Sequence, residues 1–165
     1  MTDLSPDPSR FKLALRRLAS GVSLIATEVD GVRHGLIATA VAPITAEPPT
    51  VMIAVNRTAS ILPHLDRAGR FSVNILAAAQ SEIAQRFALP RDRETRFSLG
   101  TWTTLVTGAP VLCGAAASLD CVTRQVTDYG SHRLFFGEVV DSALIAEPLL
   151  PLVYHDGRYV ALGVA

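Results

Sequence analysis

GLIATAVAPITAEPPTVMIAVN, Gly35 to Asn56, is the stretch on which the fold turns. An apolar run carrying alanine and small hydroxyl residues is broken by Glu47-Pro48-Pro49, and a second apolar run ends in Asn56-Arg57-Thr58-Ala59-Ser60. The pattern predicts two strands feeding a loop suited to a flat ring tied to a phosphate. Within Ile37-Ala38-Thr39-Ala40, small side chains let a ring approach the main chain, whose N–H and C=O groups can bond heteroatoms at its edge. The same residues also suit a plain strand in a tightly packed barrel. Asn56 to Ser60 sets an amide, a guanidinium and two hydroxyls at a strand end before a helix, where free N–H groups and the helix dipole favour an anion. An ordinary helix cap by Thr58 or Asn56 is the alternative.

On the N-terminal side, Phe11, Leu15, Leu18 and Val22 recur at helical spacing, with Ser9 to cap and Gly21 to stop the helix. Val22 to Val29 and Arg33 to Thr45 read as strands joined through Asp30-Gly31, a two-residue hairpin signal. On the C-terminal side, a strand is expected over Val51 to Val55, a short helix over Ser60 to Ala68 and a strand over Phe71 to Leu76. A second helix is expected from Ala77 to Ala88, stopped before Pro90. Pro90 to Pro110 reads as an irregular, arginine-bearing excursion around Trp102, a lid or a subunit-facing segment. Long strands follow at Gly114 to Thr127 and His132 to Leu144, joined by Asp128 to Ser131. A last hairpin turns at Asp156-Gly157 between Leu152-Val153-Tyr154 and Tyr159 to Leu162.

About seven strands in hairpin order with two or three flanking helices predict a mainly β protein, an antiparallel sheet closed as a small barrel. Strands such as Leu134 to Val140, apolar on both faces, are expected to be covered inside by the barrel and outside by helices or another subunit. The chain of 165 residues fits one domain, with residues 1–9 as a loose tail and 10–165 as the folded unit. A hydrophobic share of 49% and a mean hydropathy of +0.32 imply surface covered by a partner, most simply a second copy.

Fifteen acidic and fifteen basic residues cancel without a basic stripe, which argues against nucleic acid. All the basic residues but Lys12 are arginine, so anion recognition would use the guanidinium fork. No apolar run could span a bilayer and no secretory segment is evident, so a cytoplasmic protein with free thiols is expected. No G-x-G-x-x-G follows a strand and no Walker lysine exists, so a dinucleotide must bind another way. His34, His64, His132 and His155 are scattered, which disfavours a metal. Cys113 and Cys121 read as buried core thiols; on one strand they would lie roughly 26 Å apart, beyond disulfide reach. His132, after Tyr129-Gly130-Ser131 at a hairpin tip, can face a ligand or simply solvent.

The Gly35 to Ser60 segment is joined by Phe71 to Leu76 (FSVNIL), Gln80 with Arg86-Phe87-Ala88, Gly108 to Leu112, Leu119-Asp120-Cys121, and Gly130-Ser131-His132 leading to Phe136-Gly137-Glu138-Val139. Together, in collinear order over about residues 10–164, these resemble the flavin reductase-like family with the FMN-binding split-barrel fold. These are the reductase components of two-component flavin monooxygenases.

The resemblance implies a homodimeric split barrel that takes FMN or FAD near the subunit interface, with NADH or NADPH as co-substrate and a flavin-dependent monooxygenase as partner. By similarity, Ile37, Ala38 and Thr39 would line the isoalloxazine edge through their backbone and Ala54, Val55 and Asn56 would hold its other side. Thr58 and Ser60 would take the ribityl-phosphate end, Arg86 and Phe87 would close the phosphate side, and His132 would stand near the nicotinamide. Ile37, Pro43 and Ser131 depart from the Thr or Ser, Ser, and Asp common in the family. A non-turnover FMN-binding split-barrel protein and a flavin-dependent oxidase of related fold are the alternatives to a reductase.

Overall fold

A computed structural model describes residues 7–90, 93–146 and 149–162. Most of the expected residues 1–9 tail, and Arg91 of the arginine excursion, lie outside the described residues. The chain runs α1 (Pro8–Leu15), β1 (Ser20–Gly21), β2 (Ser23–Val29), β3 (Val32–Ala38), β4 (Val41–Ala46), β5 (Pro49–Asn56), α2 (Leu62–Ala68) and β6 (Arg70–Ile75). It continues through a 3₁₀ turn (Ala78–Gln80), α3 (Ser81–Ala88), a second 3₁₀ turn (Arg96–Ser98), β7 (Trp102–Thr104), β8 (Pro110–Leu112), β9 (Ala117–Tyr129), β10 (His132–Leu144), β11 (Leu152–His155) and β12 (Arg158–Ala161).

Seven strands form one antiparallel sheet in the order β3-β2-β6-β9-β10-β5-β4. The expected single strand Arg33 to Thr45 is two strands, β3 and β4, at opposite edges of that sheet. Only Thr39 and Ala40 separate them, so the sheet must curl until its edges meet. The hydrogen-bonded ladder does not close, because β3 pairs with β2 and β4 with β5. Full closure, expected from the strand count, is therefore corrected to a split.

Local turn chemistry sets the hairpins. Asp30-Gly31 and Asp156-Gly157 each have two successive positive φ angles, the backbone that matches the twist of a two-residue hairpin. The curled sheet encloses Ile25, Ile53, Val55, Phe71, Val73, Cys121 and Phe135, with Leu62 and Leu65 of α2 closing over them. A second cluster lies on the outer face, where Leu24 and Ala26 meet Ile83, Ala84 and Phe87 of α3. Alternate residues of β2 thus enter the two clusters, and double-sided burial falls on this strand rather than on β10, whose Val140 is exposed. Each wholly buried Phe contributes on the order of 2–3 kcal/mol by apolar transfer.

Between the clusters, the buried Asn74 amide is fully satisfied. Its Nδ2 donates to the Leu24 carbonyl (3.1 Å) and Ser72 Oγ (3.0 Å), and its Oδ1 accepts from the Leu112 N–H (2.8 Å) and Ser118 Oγ (2.9 Å). One side chain therefore binds β6 to β2, β8 and β9. An unpaired amide there would carry the full desolvation cost.

Three further expectations are revised. The opening helix ends at Leu15, with Arg16 as its C-cap, and not at Gly21, and Asp7, not Ser9, caps its start by accepting the Ser9 N–H at 2.9 Å. Ser20 and Gly21 are drawn into pairing with β11, and the Val22 N–H donates to the Leu152 carbonyl at 2.9 Å. Tertiary pairing here overrides helical periodicity. The Pro90 to Pro110 excursion is not a free lid: Trp102 packs on Phe97 (centroids 4.7 Å) and Phe87 (6.0 Å), and the Thr107 N–H donates to Asp120 at 2.7 Å. Cys113 is exposed and precedes β9, whereas Cys121 is buried within it.

Gly137 sits where β10 crosses Phe71: a Cβ there would lie 2.5 Å from the Phe71 ring and 2.9 Å from the Cys121 Cβ. Gly137→Ala should lower stability by about 1–3 kcal/mol through overpacking, read as an earlier urea midpoint with unchanged slope. A variant as stable as the parent would contradict this packing.

Candidate functional site

The Ala38 to Val41 corner is where both sheet edges converge. As edge strands, β3 and β4 each offer one row of main-chain groups outside the ladder. The Ile37 side chain packs on the outer cluster and Ala38 is buried inside the barrel, so what these residues can offer a ligand is main chain. Thr39 is exposed at the corner. Pro43 stands on edge strand β4, beside a register shift at Pro43/Thr45, where a missing N–H is tolerated.

β5 carries the corner toward the hairpin. Its Val51, Ile53 and Val55 are buried in the barrel, while Ala54 and Asn56 are less buried and alternate with them. The Ala54 N–H donates to the Ala40 carbonyl at 3.0 Å, and Asn56 stands opposite His132 in the β5–β10 register. The corner, Ala54, Asn56 and His132 therefore occupy adjoining strand ends. Val55 shares the row only through its backbone.

His132 is held in place rather than merely exposed. Ser131 Oγ lies 2.9 Å from His132 Nδ1, leaving Nε2 for a ligand, and the Arg57 N–H donates to the Ser131 carbonyl at 2.9 Å. Arg133 donates to Asp128 at 2.6 and 3.0 Å and to Asp66 at 2.6 Å, tying the hairpin to α2. The hydrogen bond from Arg133, aided by the Arg133 and Arg57 charges, holds the Asp128 carboxyl below its usual range against the opposing effect of desolvation.

The Asn56 to Ser60 loop is capped from within. Thr58 donates its N–H (2.9 Å) and its hydroxyl (2.8 Å) to Asn56 Oδ1. α2 starts only at Leu62 and is seven residues long, so the expected anion site at its N-terminus is not formed by the helix. Thr58 and Ser60 instead line a cavity of about 210 Å³ with Leu36, Leu89, Arg93 and Arg96.

Arg86 is half-buried in the last turn of α3 and does not line that cavity; Arg93, from the excursion, does. Phe87 is 2% exposed and packs beneath Gly35, where a Cβ would lie 2.7 Å from its ring, so it supports β3 from below instead of facing a ligand. The excursion arginines were the available signal for Arg93, but nothing in their spacing separates it from a solvated face. Thr39 lines a different cavity, of about 490 Å³, at the barrel mouth with Val41, Val51 and Val73.

Among the described residues no three His, Cys, Asp or Glu side chains converge. Burial, with the Asp120 charge second, pushes the Cys121 thiol up to about 12.

The model of the flavin reductase like domain matches residues 15–163. The chain belongs to this family. It is 37% identical to the FMN reductase (NADH) RutF of Variovorax paradoxus (strain S110), over 90% of this chain and 82% of that protein. It is 35% identical to the flavin-dependent monooxygenase reductase subunit HsaB of Rhodococcus jostii (strain RHA1), over 94% and 78%. The solved structure of YcdH from Haemophilus somnus 129PT, assigned as a flavin reductase, shares 34% identity and a TM-score of 0.92, covering 95% of this chain and all of that one.

The two thiols of this family member should behave differently. At pH 8 a group with pKa about 12 is ionised in about one molecule in ten thousand. A disulfide reagent should therefore titrate one thiol, Cys113, in the native protein and the second only after unfolding. Two fast equivalents would contradict the burial of Cys121.

Proposed function

We propose that the chain is an NAD(P)H:flavin oxidoreductase that reduces FMN or FAD and delivers the reduced flavin to a separate monooxygenase. The observation that carries this reading is the row formed by the Ala38 to Ala40 corner, Ala54, Asn56 and His132, beside the cavity that holds Thr58 and Ser60. It joins main-chain donors and acceptors for a ring edge to hydroxyls and a guanidinium for a phosphate. That donor set fits a flavin.

Bound flavin and nicotinamide supply the hydride transfer themselves. The protein binds and orients. The main chain at Ala38 to Ala40 would hold one side of the isoalloxazine and Ala54 to Asn56 the other. Thr58, Ser60 and Arg93 would hold the phosphate, with Arg93 in the part expected of Arg86. His132, oriented through Ser131, would present Nε2 toward the nicotinamide carboxamide. Fixing the two rings at reacting distance is the main source of rate here, since no side-chain acid or base is needed for the hydride.

A homodimer fits this reading. Phe11, Leu13, Leu15 and Leu18 in and just after α1 are 50–64% exposed, and no residue of α1 is buried. A second copy would remove that apolar surface from water. We also take residues 10–165 as one domain. No helix among the described residues is long and apolar enough to cross a membrane, and a cytoplasmic location would suit the two free thiols.

The test is anaerobic oxidation of NADH and NADPH with FMN, FAD or riboflavin in large excess over protein. Many turnovers per subunit are expected; none with any flavin would refute the proposal. A tightly flavin-bound protein that ignores NADH would instead identify a non-turnover flavin protein. His132→Ala should lower kcat/KM for the nicotinamide by about tenfold or more, and unchanged kinetics would remove His132 from the site.

A further inference from the structure

His132 stands at the tip of an arm. β6 pairs with β9 only as far as Val122, opposite Arg70, and the residues from Arg124 to Tyr129 are all exposed. β10 has β5 along its other side up to the pair of His132 with Asn56, whereas among the described residues no strand lies against the outer edge of β9 beyond Thr123. The turn is Gly130-Ser131, with Gly130 in the left-handed region (φ 56°) and Tyr129 81% exposed beside it. Backbone hydrogen bonds open to water and few buried side chains let a segment open locally. The placement of His132 therefore needs support from elsewhere.

Arg133 supplies it with all three of its guanidinium nitrogens. Nε (2.6 Å) and Nη2 (3.0 Å) donate to the two oxygens of Asp128, its cross-strand partner on β9, and Nη1 (2.6 Å) donates to Asp66 on α2. The Asp128 fork holds the two strands of the arm in register; the Asp66 bond leaves the arm altogether. Leu62 and Leu65 seat α2 on the barrel core, so Asp66 belongs to a fixed element. α2 also continues the Asn56 to Ser60 loop through the buried Ile61, and the Arg57 N–H of that loop donates to the Ser131 carbonyl. The arm is thus tied to the loop and its helix at two points, one on each side of His132. The Asp128 hydrogen bond holds the Arg133 guanidinium above its usual value against desolvation, the counterpart of the lowered Asp128 carboxyl.

We propose that Arg133 is a positioning residue for the nicotinamide nucleotide: by bridging Asp128 to Asp66 it fixes the arm to α2, and so fixes His132 relative to the Thr58 and Ser60 loop. The ligands on either side of that bridge rest on the functional reading above. Successive side chains of a strand point to opposite faces, so Arg133 acts through His132 and not on the nucleotide. A lysine could not replace it, because a single ammonium on a flexible stem cannot hold two carboxylates in one plane. Isolated ion pairs at a surface contribute little to stability; what this bridge supplies is geometry, and small displacements of a positioned group are costly in rate.

The experiment compares the full-length protein with Asp66→Asn, which is isosteric and cuts only the bond to the helix, and with Arg133→Lys, which keeps the charge and loses the fork. Arg67→Gln is the control, since it removes a neighbouring charge of α2 that pairs with Asp30 on the far side. Amide hydrogen exchange on the ligand-free proteins should be about tenfold faster over residues 126–133 in the two bridge variants, with residues 71–76 unchanged. Both variants should lower kcat/KM for NADH by about threefold or more while FMN affinity stays as in the parent. Arg67→Gln should match the parent in every reading. Because the bridge acts through His132, Asp66→Asn added to His132→Ala should cost nothing further. Unchanged exchange in both bridge variants, a loss of FMN affinity in step with NADH, or an undiminished effect of Asp66→Asn in the His132→Ala protein would overturn the proposal. Should Arg133→Lys fail to fold, Asp66→Asn carries the same comparison. A parent protein without turnover would refute the functional reading, and the exchange comparison would then decide by itself whether the bridge holds the arm.

Discussion

Two residues, Thr39 and Ala40, join strands that occupy opposite edges of a seven-stranded sheet. A connection that short cannot span a flat sheet of this width, since strands lie about 4.8 Å apart. The sheet must therefore curl, and curling creates the enclosed core of Ile25, Ile53, Phe71 and Phe135. The same constraint brings the outer edge of β3, the side not paired with β2, to the end of β5, where main-chain groups and the Asn56 to Ser60 loop come together. The site is thus a consequence of how the barrel nearly closes.

Keeping that corner in place requires support on the outer face. Phe87 and Phe97 meet edge to face with centroids 5.0 Å apart, directly under the glycine that begins the quoted segment. Arg96 lies over the Phe87 ring at 5.9 Å and donates to the carbonyls of Gly35 (3.4 Å) and Leu89. The excursion that follows α3 therefore braces β3 and, through Arg93, brings a guanidinium to the cavity lined by Thr58 and Ser60.

Much of this was legible wherever the governing interaction is local. Asp30-Gly31 and Asp156-Gly157 announce their hairpins because two positive φ angles in a row need these residue types. The left-handed Gly69 at the end of α2 is of the same kind. Elements decided by distant partners were not legible. Ser20 and Gly21 leave the helical pattern because β11, near the other end of the chain, pairs with them. Asn74 reads as an unremarkable strand residue until its four partners from β2, β6, β8 and β9 are assembled. In the site, the small residues at Ile37 to Ala40 and the His132 hairpin were visible, since their chemistry is written in consecutive residues. The place of Arg93 rather than Arg86 on the Thr58 and Ser60 cavity, the inward turn of Phe87 and the stacking of His34 on His64 depend on how separate elements pack.

The central claim is that the corner's main chain grips a flavin ring while the neighbouring loop holds its phosphate. The most direct measurement is a crystal structure of the protein with FMN bound. The account predicts the isoalloxazine edge within hydrogen-bond distance of main-chain atoms between Ala38 and Ala40, and the phosphate within reach of Thr58, Ser60 and Arg93. A flavin seated elsewhere, or a phosphate held by Arg86 and Phe87 instead, would contradict it.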